Sequence, residues 1–362
     1  MIVVTYGSHI AQNTYDCLAA SDVADYLKPD HRVAIKPNLV LASPAAGGAT
    51  THPEVIEGII LYLKDFGVKQ IRIIEGSWVG DSTKRAFQVC GYEALSKKHN
   101  VPLVDLKRDR YSVLDYGGFS VKVCQEALEA DFLINAPVLK AHCQTGLTCC
   151  MKNLKGCIPD SEKRRFHELG IHKPVAVLNR LIRTGYCVVD GVCGDLSFEE
   201  GGNPVTANRI IAGQNPLLVD SYCAELIGYK PEEIDYLVYG REFGAGVFYS
   251  AQTKLVELYT QNKPAHERKS DRTAERYRRL IREDAACSAC YSSLIYALHR
   301  LGGVIPKGGG MRRDGQVCIG QGFREQRGEG FGIGNCTGGL SVHVPGCPPK
   351  ATDIIEAWRS MD

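Results

Sequence analysis

The stretch Arg32-Val33-Ala34-Ile35-Lys36-Pro37-Asn38, followed by Thr51-His52-Pro53-Glu54 and apolar residues at Val55, Ile56, Ile59, Ile60 and Leu63, decides the fold. A short β-branched run ending in a charged residue and a proline reads as a buried strand leaving its sheet. Residues 51–54 read as a capping box with a proline in the first helical turn, and Gly67 as the stop. Strand, helix, strand is a βαβ unit. The alternation recurs, with strands predicted at 70–74, 102–106, 131–135 and 186–189 and helices at 216–228 and 231–239. It predicts an α/β fold over residues 1–250, a mostly parallel sheet with helices on both faces.

The chain has 362 residues, 44% of them apolar, and a formal net charge of +2. That composition supports a sizeable core in roughly two domains and argues against disorder. Near-neutral charge gives no concentrated basic face, which excludes nucleic acid as an expected partner. No apolar run approaches the ~20 residues that cross a bilayer, and residues 1–6 lack a basic leader, so the expectation is a cytoplasmic protein with no membrane association. Residues 251–284 read as a charged helical connector, because 263–284 hold eight Lys or Arg and five Asp or Glu without an apolar stripe. Mixed signs at helical spacing suit a solvated face, with a basic interaction surface as the sharper alternative. Residues 285–362 read as a smaller, glycine-rich, cysteine-ligated α/β domain.

Fifteen cysteines in a reducing compartment suggest metal or redox work at some positions. Cys17, Cys90, Cys124, Cys187 and Cys223 lie in apolar or helical stretches and read as packing. Cys287-Ser288-Ala289-Cys290, Cys336 after Gly334-Asn335, and Cys347 in Gly346-Cys347-Pro348-Pro349 form a four-thiolate set suited to one soft metal centre. Cys287 and Cys290 open a helical run, and Cys347 stands at an expected N-cap with Pro348 and Pro349 just inside the helix. Three sulfurs would thus sit near helix N-termini, which favour anionic ligands. A structural zinc site usually needs two C-x-x-C knuckles, and only one is present, so a single [4Fe-4S] cluster is the preferred occupant. Cys318 is an alternative ligand read as packing.

In parallel sheets, ligands bind beyond the carboxyl ends of the strands. The residues that follow the predicted strands are Lys36 and Asn38, then Glu75, then Lys140 and His142, then Asp190. The long polar segment 140–157 adds Lys152, Asn153 and Lys155. Lys36, Asn38, Lys140, Lys152, Asn153 and Lys155 are the expected binding residues for an anionic small-molecule substrate, and His142, Glu75 and Asp190 the expected proton-transfer groups. Cys143, Cys149, Cys150 and Cys157 crowd the same segment; a second metal there is the less favoured reading, since adjacent Cys149 and Cys150 suit one tetrahedral centre poorly. Residues 199–204, with Glu199 and Glu200, read as a turn and secondarily as a carboxylate source.

Lys36-Pro37-Asn38, Thr51-His52-Pro53, Glu75-Gly76-Ser77, Lys140-Ala141-His142, Lys152-Asn153-Leu154-Lys155-Gly156 and Val189-Asp190-Gly191 together resemble the family catalogued as domain of unknown function 362. The resemblance spans about residues 30–240. It implies an iron-sulfur protein, often with a ferredoxin-like tail carrying two clusters. This chain lacks the C-x-x-C-x-x-C-x-x-x-C-Pro run, so its tail fits one cluster. Residues 346–349 are similar to a cluster-ligating stretch in an electron-transfer subunit of respiratory complex I. The leading functional reading is an oxygen-sensitive oxidoreductase passing electrons from one [4Fe-4S] cluster to an anionic substrate or cofactor, with a ferredoxin-type or flavin electron donor and a homodimer as the candidate assembly. A non-catalytic electron carrier or binding protein, and an isomerase or lyase with a structural cluster by fold analogy with nickel-dependent lactate racemases, are the alternatives.

Overall fold

The computed structural model describes residues 1–198, 201–259, 269–303 and 316–361. Its larger sheet has eight strands: β1 (Ile2–Tyr6), β2 (Arg32–Pro37), β3 (Gln70–Glu75), β4 (Leu103–Asp105), β5 (Phe132–Ala136), β6 (Tyr186–Asp195), β7 (Pro204–Gly213) and β8 (Leu255–Tyr259). Their spatial order is β8-β1-β7-β6-β5-β2-β3-β4. Only β7 runs antiparallel to its neighbours, so the sheet is mostly parallel, as the βαβ pattern predicts.

Strand periodicity explains the layering. Val33 and Ile35 pack on one face with Val55, Ile56, Ile59, Ile60 and Leu63 of helix Pro53–Asp65. Ala34 faces the other way, toward a core that includes Met151, Phe166, Val175, Leu217 and Leu237 from later helices. Because both faces are covered, the central strands read as continuous apolar runs. Each fully buried aliphatic side chain of the Pro53–Asp65 helix contributes roughly 1.5–3 kcal/mol relative to exposure.

The capping box at residues 51–54 does not form. His52 is the N-cap and makes no side-chain cap bond. The Thr51 hydroxyl instead donates to the Ala136 carbonyl at 2.9 Å and accepts from the Asn38 amide at 2.9 Å, so it fastens β2 to β5. Segment 140–157, expected as a long loop, is ordered into a small hairpin (Lys140–His142 with Gly146–Thr148), a short helix Cys150–Asn153 and a 3₁₀ turn Leu154–Cys157.

The second sheet contains β9 (Ile281–Glu283), β10 (Val317–Ile319), β11 (Gly328–Ile333) and β12 (Leu340–Val344), parallel and in sequential order. Helices Ser288–Arg300 and Ala351–Arg359 cover it, burying Leu294, Ile295, Leu298, Ile354 and Trp358 against Phe331 and Ile333. The expected connector at 251–284 is not one helix. β8 pairs with β1 in the large sheet, Thr273–Tyr277 is a single short helix, and β9 already belongs to the second sheet. The large unit therefore extends past residue 250, because Leu255, Val256 and Leu258 pack against its core. The start of the charge run, residues 263–268, lies outside the described residues, as do Glu199 and Glu200.

Candidate functional site

The carboxyl ends of β2, β3 and β5 converge on one buried polar knot. Lys36 Nζ donates to both Glu75 carboxylate oxygens at 3.0 and 2.9 Å, to the Pro37 carbonyl at 2.7 Å and to Asn153 Oδ1 at 3.2 Å. The remaining Glu75 capacity is taken by the amides of Leu39, at 2.9 Å, and Gly76, at 2.8 Å. Asn153 Nδ2 donates to Asn135 Oδ1 at 2.8 Å, and Asn135 Nδ2 to the Cys150 carbonyl at 2.8 Å. Lys36 is only 1% exposed, so an unpaired ammonium there would carry a large desolvation penalty, which the bidentate partner offsets. Gly156 lies directly on this pair: a Cβ there would stand 2.4 Å from Glu75 Oε1 and 2.6 Å from Lys36 Nζ.

Above the knot opens a cavity of about 500 Å³. Lys36, Asn38, Glu75, Lys152, Asn153 and Lys155 line it, as expected from sequence. Lys140, His142 and Asp190 do not line it. Lys140 is fully buried and donates to the Ala49 carbonyl at 3.0 Å. Asp190 accepts from His52, through the backbone N–H at 2.7 Å and through Nδ1 at 2.8 Å. Burial works against a charge on His52, but the Asp190 hydrogen bond and charge outweigh it and raise its pKa. His142 Nδ1 accepts from the Gln144 and Thr145 amides at 3.0 and 3.1 Å and so stabilises a turn. Strand-end position alone does not aim these three side chains at the cavity: Lys140 and Asp190 are taken by segments distant in sequence, and His142 by the turn that follows it.

Three further cavity residues carry no strand-end signal: Lys163, Arg164 and His167, on helix Asp160–Glu168. Lys163 Nζ donates to the Gly76 and Ser77 carbonyls and to Asp160. Burial lowers its pKa, and Asp160 partly restores it. Lys155 Nζ lies 3.2 Å from His167 Nε2. The available clue was the basic run Lys163-Arg164-Arg165 that follows the acidic first turn of this helix.

The opposite boundary is formed by the second sheet. Cys287, Cys290 and Cys347 line the same cavity. Cys287 follows β9 and N-caps its helix, Cys336 follows β11, and Cys347 follows β12, so all three hang from the carboxyl edge of a parallel sheet. The Asn335 amide donates to the Gly346 carbonyl at 3.0 Å, and the Gly346 amide to Asn335 Oδ1 at 2.7 Å, tying the Cys336 and Cys347 loops together. Gly334, at φ +89°, brings its backbone close to Cys290 Sγ; a Cβ there would lie 3.7 Å from the sulfur. Burial pushes the Cys287 thiol up, as do Cys347 and Cys336, while Lys155 and Arg164 pull it down. The last helix starts later than expected, with Lys350 as N-cap, so Pro348 and Pro349 precede it. Cys318 is buried inside β10 against Phe323 and Leu340. Eleven cysteines are buried; Cys287, Cys290 and Cys336 are half-buried and Cys347 is exposed.

Cys149 and Cys150 of segment 140–157 and Asp220 of helix Pro216–Leu226 form a buried group that could hold a metal ion, with its ligand atoms within 4.8 Å of one another. Asp220 also accepts the Cys150 and Met151 amides at 2.7 and 2.9 Å, which accounts for its place at the start of that short helix. Cys143 packs elsewhere, against Ser292.

These features define an α/β protein with a solvent-open cavity between a lysine-rich strand edge and a cysteine-bearing second sheet. The family model for a domain of unknown function (DUF362) matches residues 33–225, and the chain belongs to that family. The thylakoid-associated protein sll1697 of Synechocystis sp. (strain ATCC 27184 / PCC 6803 / Kazusa) is 31% identical over 146 residues, 40% of this chain and 44% of that protein. The chain thus spans less than half the length of that relative. The lactate racemase apoprotein from Thermoanaerobacterium thermosaccharolyticum is similar at 13% identity and a TM-score of 0.42, over 62% of this chain and 57% of that one. Among the described residues no helix is long and apolar enough to cross a membrane.

Proposed function

We propose that the chain is an iron-sulfur oxidoreductase that passes electrons to an anionic small molecule held in the cavity. The observation that carries this reading is that one cavity is lined both by Lys36, Glu75, Lys152 and Lys155 and by Cys287, Cys290 and Cys347. Cys287, Cys290, Cys336 and Cys347 would hold the group, a [4Fe-4S] cluster, which supplies single electrons when bound. The ligand pattern supports a cluster over a single zinc ion: structural zinc sites usually take two C-x-x-C knuckles, and here one knuckle, Cys287 and Cys290, is followed by two isolated cysteines, the second of them in Cys347-Pro348.

The chain's own residues supply the rest. Lys152, Lys155 and Arg164 put positive charge on the cavity wall. Lys36 and Glu75 neutralise each other and fix the strand ends. Lys155 with His167 is better placed than His142 or Asp190 to deliver a proton to a reduced substrate. An electron carrier without chemistry needs no cavity of small-molecule size, and a volume of about 500 Å³ favours the enzyme reading. Exposed Cys347 marks the side from which a ferredoxin-type or flavin donor would approach, and fifteen cysteines without a disulfide suit a cytoplasmic setting.

The test is anaerobic purification with iron and sulfide analysis, then dithionite reduction and a screen of anionic acceptors for reoxidation. The expected result is about four iron and four sulfide per chain with absorption near ~400 nm, reoxidised by at least one acceptor. Stoichiometric zinc without iron in protein never exposed to air overturns the reading.

A further inference from the structure

Cys149, Cys150, Cys187 and Cys223 meet Asp220 inside the larger unit, and all five are fully buried. The Cys149 and Cys150 sulfurs lie 3.9 Å apart, and with Asp220 they form a set whose ligand atoms all stand within 4.8 Å of one another. The Cys223 thiol interacts with Cys149, and the Cys187 thiol with Cys150. Adjacent side chains point to opposite faces along a regular strand. Here Cys149 is extended, at φ −155° and ψ −145°, and Cys150 opens the helix Cys150–Asn153. The change of backbone direction brings both sulfurs to one side, which removes the objection that sequence adjacency raised.

Asp220 is the unusual member. Its carboxylate accepts the Cys150 and Met151 amides at 2.7 and 2.9 Å, yet among the described residues no Lys, Arg or His forms an ion pair with it. A carboxylate this deep in a core needs a compensating positive charge or a proton. A metal ion supplies the charge, and the sulfur spacing fits one: zinc–sulfur bonds of ~2.3 Å put tetrahedral sulfurs ~3.8 Å apart. Zinc takes thiolate and carboxylate ligands together, whereas Cu(I) favours sulfur and Ca²⁺ or Mg²⁺ favours oxygen.

We propose that Cys149, Cys150 and Asp220 bind one zinc ion, with Cys223, beside Cys149, as the fourth ligand. This centre is separate from the four cysteines of the second sheet and stands independently of the oxidoreductase reading. Ligation takes thiolates, so binding releases the thiol protons. The Arg209 guanidinium, whose charge acts on Cys223, offsets part of the negative charge that results. Full burial leaves no open position for a substrate, which makes the ion structural. Its influence reaches the cavity through the helix Cys150–Asn153, whose Lys152 and Asn153 line that space. Asn135 of the polar knot also donates to the Cys150 carbonyl at 2.8 Å. An ion joining this short helix to helix Pro216–Leu226 fixes the floor on which the cavity side chains stand.

The experiment measures zinc and iron on the same anaerobically purified chain, expressed with zinc supplied, and reads the zinc environment by X-ray absorption. The expected result is about one zinc per chain, with sulfur at ~2.3 Å and oxygen at ~2.0–2.2 Å. Cys149→Ser and Asp220→Asn should each lose most of the zinc and keep the iron, and Cys347→Ser should do the reverse. Hydrogen exchange at residues 150–157 should rise wherever zinc is lost. Protein without zinc overturns the inference. Zinc ringed by sulfur alone, or zinc lost in Cys347→Ser and kept in Asp220→Asn, assigns the ion to the second sheet and overturns it equally. If both core variants fail to fold, the absorption spectrum of the native chain decides. Zinc with sulfur and oxygen ligands in protein that lacks iron sustains this inference while overturning the oxidoreductase reading, and about four iron without zinc does the reverse.

Discussion

Lys36 and Glu75 show how a residue's neighbours determine its worth. Both are almost fully buried and doubly hydrogen-bonded, so removing one leaves an uncompensated charge in a dry site. Lys36→Met is expected to cost about 3–5 kcal/mol by urea unfolding, with part of the loss recovered in the Lys36→Met, Glu75→Gln double variant. The exposed Arg32–Asp131 pair, equally short at 2.9 Å, is screened by solvent, and Arg32→Met should leave the urea midpoint nearly unchanged. Gly156→Ala should destabilise by about 1–3 kcal/mol, because its Cβ must displace the Lys36–Glu75 pair. At His52 the sign follows from the raised pKa. The Asp190 interaction stabilises fully below the ordinary value of 6.5 and fades as pH rises through the higher folded value. Urea midpoints measured from about pH 6 to pH 8.5 should therefore fall more in the native chain than in His52→Gln; parallel profiles would contradict the assignment.

Among the elements, the two parallel sheets use the same device. Each sends cavity-lining side chains from its carboxyl edge, a lysine and a carboxylate from one and thiols from the other. Cys347→Ser removes one soft ligand, and the expected outcome is loss of iron together with earlier unfolding of residues 281–361, read by hydrogen exchange. Cys318→Ser should keep its iron while losing packing against Phe323 and Leu340. The strands with uninterrupted apolar runs were legible in advance. β1, β7 and β8 were not: β7 passes from exposed and half-buried positions in its first half to five consecutive buried ones, and β8 is a short edge segment beside a charge run.

For the whole molecule, the junction between the units matters because the second unit forms one wall of the cavity. Gln144 Nε2 donates to Glu283 Oε1 at 2.6 Å and to the Ala286 carbonyl at 3.0 Å, while Ser288 Oγ donates to Gln144 Oε1 at 2.7 Å. One side chain from the large unit thus clasps the strand end and helix start that present Cys287. Gln144→Ala should keep its iron and increase hydrogen exchange at residues 283–288. Unchanged exchange at those residues would show that the clasp is not what holds the units together.

By itself the sequence determined the parallel α/β layering, the four-cysteine set of the small unit and the lysine-rich character of the strand edge, because each is written in local periodicity and in short spacings along the chain. Only the tertiary structure decided which of those side chains share a space. Lys140, His142 and Asp190 leave the crevice because Ala49, the 144–145 turn and His52 capture them. Lys163, Arg164, His167 and Trp78 enter it because a helix and a loop fold over the edge. The cysteines meet the lysines only because the second sheet docks carboxyl edge toward the first, and such a through-space contact between segments more than a hundred residues apart leaves no periodic trace in the sequence.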